Sequence, residues 1–300
     1  MRLRSIALLA STLALGLVPA SSQAYQTGIG DQQPSMFEQP LYQALHVRIG
    51  RFIAPYDTAD SPVDRTIATN WVHNAEASGV QPLIAFYHSR VSPTRQPSVA
   101  KYTREIRKFM RLFPKVKNYS AWNEANRGNV ARLFHSPSAK QSAQYYLALR
   151  KACSRCTIVG LDVLDSQKIA STIRYVRSFQ RYVGSRRLPK VWGLHNYTDT
   201  NRSHTSGTRA VLAAVRGQVW LTETGGIVKF GRAFPENTNR AARAIKFMFK
   251  LARSNRRLTR LYIFNWTGGF TDQRFDAGLT NPNESARPGY YVVRKQLTGR

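Results

Sequence analysis

Short apolar runs that end in polar residues alternate along the chain with longer amphipathic segments, the pattern of strands and helices in a parallel α/β protein. Eight runs read as strands: 27–32 (TGIGDQ), 44–53 (ALHVRIGRFI), 81–89 (QPLIAFYHS), 116–124 (VKNYSAWNE), 157–165 (TIVGLDVLD), 191–199 (VWGLHNYTD), 218–226 (QVWLTETGG) and 260–269 (RLYIFNWTGG). Between them lie helical patterns such as VDRTIATNWVHNAEASG, SVAKYTREIRKFMRLF and TNRAARAIKFMFKLARS. Helix starts are expected at Asp60, Ser98, Ser136-Pro137 and Asn237 or Thr238, where a side-chain oxygen precedes an amphipathic run. Eight strand-helix units predict a single (β/α)8 TIM barrel. The competing fold, an open doubly wound sheet, is disfavoured because GIGDQQ lacks the third glycine of a dinucleotide fingerprint.

Before these units stand Arg2 and Arg4, the apolar run IALLASTLALGLV and then PASSQA. This order predicts a secretory signal peptide over 1–24, cleaved near Ala24, and a catalytic domain over 25–300. The apolar run is short of the roughly 20 residues a spanning helix needs, so a secreted or periplasmic protein without a membrane span is expected. The two cysteines, Cys153 and Cys156, are close enough in a turn for a local disulfide, in keeping with export.

In a barrel of this kind active groups stand at the C-terminal ends of strands. Those ends read Asp31, Arg48, His88, Asn123-Glu124, Asp162 or Asp165, His195-Asn196-Tyr197, Glu223 and Trp266. Two carboxylates facing one point are the minimum equipment for cleaving an acetal, one as acid and one as anion beside an oxocarbenium-like carbon. Asp31, Asp162 and Asp165 read as helix caps instead. No His-Glu-x-x-His spacing and no Gly-x-Ser-x-Gly elbow is present, and no cofactor or metal is implied.

AWNEAN ending the fourth strand and WLTETGG ending the seventh together resemble the glycoside hydrolases of clan A. The resemblance spans nearly all of residues 25–300 and stops at the clan. It implies Glu124 as acid/base, Glu223 as nucleophile, Asn123 as a ligand of the sugar 2-hydroxyl, and Trp266 as a platform under the sugar ring. It also implies a strand-two Arg that keeps Glu223 anionic, expected at Arg48, with Arg51 the alternative facing the other way. Tyr197 resembles the strand-six aromatic that hydrogen-bonds the nucleophile; His195 stands beside it, and His88 is a further binding candidate. A retaining mechanism is expected, with the carboxylates about 5–5.5 Å apart and the pKa of Glu124 well above that of Glu223. Short loops after the strands favour an open cleft and endo action.

The expected partner is a β-linked carbohydrate. The alternative is a carbohydrate-binding or cell-surface adhesion protein on the same scaffold. The chain carries a formal charge of +29, which favours anionic polymers or an anionic envelope. The basic residues are spread along the helices without a nucleic-acid fold signature, so no nucleic acid is expected.

Overall fold

The computed structural model describes residues 25–129, 133–269 and 273–299, so the predicted signal peptide lies outside the described residues. All eight predicted strands form. They are β1 (Gln26–Gly30), β2 (Ile49–Pro55), β3 (Gln81–Tyr87), β4 (Asn118–Ser120), β5 (Thr157–Leu164), β6 (Val191–His195) and β7 (Gln218–Thr224), and, after a short strand β8 (Lys229–Phe230), β9 (Leu258–Phe264). The strands β1 to β7 and β9 are parallel neighbours in sequence order, and β9 pairs back onto β1 from Gln26↔Arg260 to Gly30↔Phe264, which closes the barrel. β8 and β10 (Phe275–Asp276) form a separate antiparallel ribbon.

Helices α1 (Pro40–Gln43), α2 (Pro62–Ala77), α3 (Val99–Leu112), α4 (Ala139–Ala152), α5 (Ile169–Val183), α6 (Tyr197–Arg202), α7 (Ser206–Ala214), α8 (Thr238–Arg253) and α9 (Pro288–Thr298) make the outer wall. Their side-chain order dictates the packing. In α3, Tyr102, Ile106 and Phe109 recur at helical spacing and are fully buried, while Lys101, Arg104, Arg107 and Arg111 face out. Burying each large apolar side chain contributes roughly 1.5–3 kcal/mol, so this face fixes the helix against the sheet.

The helix caps were legible to within two residues. Ser98 and Asn237 cap α3 and α8 as expected, but α2 is capped by Ser61 rather than Asp60, and α4 by Ser138 rather than Ser136. Each accepts the amide of the third residue on, satisfying a donor the helix cannot.

Core packing separates into two clusters. The larger fills the space between sheet and helices. The smaller takes Ile49, Leu83, Val159, Val191, Trp220 and Tyr262, one residue from each of six barrel strands, and fills the barrel interior. Above this apolar layer, toward the C-terminal strand ends, the interior turns polar, and Arg51, Ser120, Asp162, His195 and Thr222 are all at most 1% exposed. Cys153 and Cys156 form a disulfide with Cα atoms 5.4 Å apart, at the end of α4. No helix among the described residues is long and apolar enough to cross a membrane.

The expectation of short loops is corrected. Residues 88–98, 121–138, 225–237 and 265–287 join strands to helices at the C-terminal face, and the last two carry the β8–β10 ribbon.

Candidate active site

The turn carrying Glu124 is pinned from both sides. Asn123 N donates to Phe86 O of β3 at 2.7 Å, and Ala125 N donates to Asp162 O of β5 at 3.0 Å. Asn126 extends this clamp: its Nδ2 donates to Leu164 O at 2.8 Å while its Oδ1 accepts from Leu164 N at 2.8 Å. Asn126 is therefore a structural residue of the turn. The clamped turn holds Glu124 in the left-handed region, φ 47°, which an L-residue adopts only when its surroundings over-determine it.

Glu223 lies on β7 and faces Glu124 across the mouth. One oxygen of each carboxylate and a ring nitrogen of His195 all lie within 4.8 Å of one another. Glu223 Oε2 accepts from Arg51 at 2.8 Å, and its Oε1 accepts from the Tyr197 hydroxyl at 3.1 Å. Tyr197 begins α6 and does not extend β6, yet its hydroxyl reaches the expected carboxylate. Burial first, and then the Glu223 charge, push the Tyr197 hydroxyl well up, which keeps it a donor.

His195 stands between the acids, fully buried. Its Nδ1 is 3.1 Å from Glu124 Oε1 and 3.8 Å from Glu223 Oε2, and its Nε2 is 3.2 Å from Asp162 Oδ1. Burial alone would hold the imidazole neutral, but Asp162 and Glu223 outweigh it and push the pKa up to about 10. Asp162 in turn accepts from Arg51 at 3.3 Å, from Ser120 at 3.2 Å and from Thr222. Burial opposes its charge, but His195 and Arg51 prevail and hold its carboxyl well below the usual range.

Asp162 thus bridges Arg51 and His195, whose Nε2 also lies 3.2 Å from the Arg51 guanidinium. It reads as a helix cap in the sequence and is instead central to the site. The available signal is its place in GLDVLD, at the end of an otherwise apolar strand.

The arrangement needs room beside Asp162, and Gly193 on β6 supplies it. A Cβ there would stand 2.3 Å from Asp162 Oδ1 and 2.8 Å from Thr222 Oγ1. The β5–β6 and β6–β7 ladders both shift register at this level, as strands do where side chains are re-aimed beside a site.

Three sequence expectations are corrected. Arg48 is exposed and precedes β2, which starts at Ile49, whereas Arg51 is 1% exposed and contacts Glu223, Asp162 and Asn123. The predicted strand began too early, and alternation was then counted from the wrong arginine. Trp266 is fully buried, with Nε1 donating to Gln39 at 2.5 Å and its ring edge-on to Tyr42, so it belongs to the core and offers no face to a sugar. Phe264, half-buried at the end of β9 and stacked on Phe275 of the ribbon, is the aromatic at that position.

The third correction concerns Glu124. Burial favours its neutral form, but His195, Arg127 and Arg51 hold the carboxyl below the ordinary range rather than above it. Arg127, three residues on in the same turn, donates to Glu124 Oε2 at 2.9 Å and was not singled out from the sequence.

Asn123 Oδ1 accepts from Arg51 at 2.5 Å, which fixes the amide beside the two carboxylates. His88 is half-buried and stacks on Phe134 at 5.8 Å, with Nδ1 on Ser89 O at 3.0 Å. It lies at the strand end but outside the Arg51–Asp162–His195 network.

Glu124, His195 and Glu223 are near enough to share a cation. Their donor atoms are already committed to Arg51, Tyr197, Arg127 and one another, so the set suits proton transfer better than ligation. A hollow of about 890 Å³ on the outer wall, lined by Arg104, Arg107, Arg111 and Lys151, has none of this chemistry.

No protein-family model and no curated protein matches the chain. Solved structures do. Over 90% of this chain and 99% of the other, a fungal β-1,4-galactanase superposes with a TM-score of 0.66 at 12% identity. A GH10 protein from Paenibacillus barcinonensis does so at 0.65 and 11%, covering 92% and 95%. A family 39 glycoside hydrolase from Bacteroides cellulosilyticus WH2 matches at 0.59 and 14%, covering 91% of this chain but 63% of that one. The family 39 and GH10 neighbours belong to clan A families. At such identities the likeness is one of fold, and the resemblance read from AWNEAN and WLTETGG is met at that level.

Proposed function

We propose that the protein is a secreted retaining glycoside hydrolase acting on β-linked sugars. The observation that carries this reading is the pair Glu124 and Glu223, at the ends of β4 and β7, with oxygens within 4.8 Å of each other. That spacing supports a retaining enzyme, whose carboxyl groups stand about 5–5.5 Å apart, over an inverting one, which needs about 6.5–9.5 Å for a water. Glu223 attacks the anomeric carbon while Glu124, protonated, gives its proton to the departing oxygen. In the second step Glu124 takes a proton from water, and the hydroxide displaces Glu223 from the same carbon.

Arg51 and Tyr197 are the positioning residues for Glu223, since they fix both its oxygens and stabilise its anion. Asn123 is the residue proposed to bind the sugar 2-hydroxyl. The names of the structural neighbours, which include a β-1,4-galactanase and an endoxylanase, support a polysaccharide substrate. Endo action loses the support of short loops, and product size must decide it. Export, with cleavage near Ala24, is supported by the Cys153–Cys156 disulfide.

The test is hydrolysis of aryl β-glycosides and a panel of β-linked polysaccharides, with the anomeric configuration of the first product followed by NMR. Retention is expected, and Glu223→Ala should abolish turnover. Glu124→Ala should lose about 10²–10⁴-fold on polysaccharides but less on aryl glycosides, whose leaving groups need no proton. Inversion, or wild-type rates in Glu223→Ala, would remove the reading. Polymer binding without any turnover would favour the adhesion protein, which the basic surface suits.

A further inference from the structure

Both oxygens of Glu124 are occupied. Oε1 faces His195 Nδ1 at 3.1 Å and Oε2 accepts from Arg127 at 2.9 Å. An acid in this position has to carry a proton on one oxygen and point it at the glycosidic oxygen, so one of the two cations must give way. His195 is fully buried and tied to Asp162. Arg127 is different: its side chain is 45% exposed, against 8% for Glu124, and its guanidinium rests over Phe134 at 4.7 Å. Arg127 therefore covers Glu124 from the solvent side and is the more accessible of the two partners.

Moving it has a cost. A charge-assisted hydrogen bond is stronger than a neutral one, and a neutral hydroxyl is a weaker acceptor than the carboxylate it would replace. A second carboxylate offers a like-for-like exchange. The surroundings favour one: Arg127 lies over the Phe134 ring on which His88 stacks, and Arg90 stands two residues beyond His88, so this flank of the mouth carries two arginines. Arg90 pairs with Asp64, but its side chain remains 57% exposed.

We infer that Arg127 is a specificity-determining residue for an acidic substrate, the sugar on the leaving-group side carrying a carboxylate that draws the guanidinium off Glu124 and frees Oε2 for the proton. The inference rests on the glycosidase reading and deepens it, naming the substrate class as uronic-acid-containing β-linked polysaccharide. Around Glu124 the other charged or titratable groups are His195 from β6, Arg51 from β2, Glu223 from β7, Tyr87 from β3 and Tyr197 from α6. All five are anchored in the barrel wall or its mouth, so only the Arg127 contact responds to a ligand arriving from solvent. Free enzyme then keeps Glu124 anionic, and the acid forms when the correct substrate binds.

The experiment uses a matched pair of substrates: a β-linked polysaccharide with alternating uronic acid and neutral units, and the same polymer with its carboxyl groups reduced to alcohols. Wild type should show a kcat/KM at least about tenfold higher on the carboxylated form, tenfold corresponding to about 1.4 kcal/mol. Arg127→Gln should abolish that preference by losing activity on the acidic form and gaining it on the reduced form. Its alkaline limb in kcat/KM should move to higher pH, because Glu124 has lost a cation. Arg127→Lys should keep part of the preference. No preference in wild type, or an equal loss on both substrates in Arg127→Gln, would overturn the inference while aryl β-glycoside turnover still upheld the glycosidase. Absence of turnover on every glycoside would overturn both.

Discussion

Three anions, Asp162, Glu124 and Glu223, and three cations, Arg51, His195 and Arg127, meet at the mouth in mutual contact. Such a balance makes each removal costly. Arg51→Met should destabilise the protein by about 3–5 kcal/mol, because it takes from two buried carboxylates the fully buried guanidinium that both contact, and the midpoint of urea unfolding measures this. Arg51→Lys should recover little, since one ammonium cannot reach Glu223, Asp162 and Asn123 as the planar fork does. His195 carries a pH dependence of defined sign. Its folded pKa is raised to about 10 from 6.5, so its contribution is fully present below about pH 6.5 and is lost as pH rises toward 10. Unfolding free energy measured across that window should fall in wild type and stay flatter in His195→Gln. Parallel slopes would show that His195 is not the protonated group.

At the level of elements, Gly193 is the position where one missing side chain lets β5, β6 and β7 share Asp162 and Thr222. Gly193→Ala places a Cβ 2.3 Å from Oδ1 of a carboxylate that four groups hold, two on each oxygen. Overpacking of this kind costs about 1–3 kcal/mol, and activity should fall with it, because displacing Asp162 releases His195. A variant as stable and active as wild type would show that Asp162 moves freely. The sequence disclosed this architecture unevenly, for physical reasons. Eight apolar runs announced eight strands because parallel strands are buried on both faces. Strand starts were less legible: HVRIGRF offers two arginines at opposite parity, and only the onset of pairing at Ile49↔Gln81 decides which one enters the barrel. Trp266 misled for a related reason, since the chain leaves β9 at Phe264 and turns the indole into the core. Glu124 and Glu223 were legible because an eight-fold barrel brings the ends of β4 and β7 together whatever the loops do. Arg127 was not, because a turn residue declares no direction in sequence.

Over the whole molecule, charge acts in two places that salt can separate. The chain holds 45 Lys and Arg against 16 Asp and Glu, and much of the excess lies on exposed outer faces of helices, as with Arg174, Arg177 and Arg181 on α5 and Arg243, Lys246 and Lys250 on α8. A field of that origin attracts a polyanion from a distance, and it is screened over about 8–10 Å at 0.1–0.15 M salt. The Arg127 contact is of another kind, since it is short, sits beside a buried carboxylate and is screened far less. Raising salt from 0.02 to 0.5 M should therefore lower kcat/KM on a long acidic polymer by roughly tenfold, chiefly through KM, while the preference for carboxylated over reduced short oligosaccharides persists. Arg127→Gln should lose the preference and keep the salt slope. Neutralising three exposed arginines of α5 should reduce the slope and keep the preference. If the two effects instead vanished together in Arg127→Gln, the outer wall would have no part in capturing polymer, and the positive charge would matter to this molecule only at the mouth.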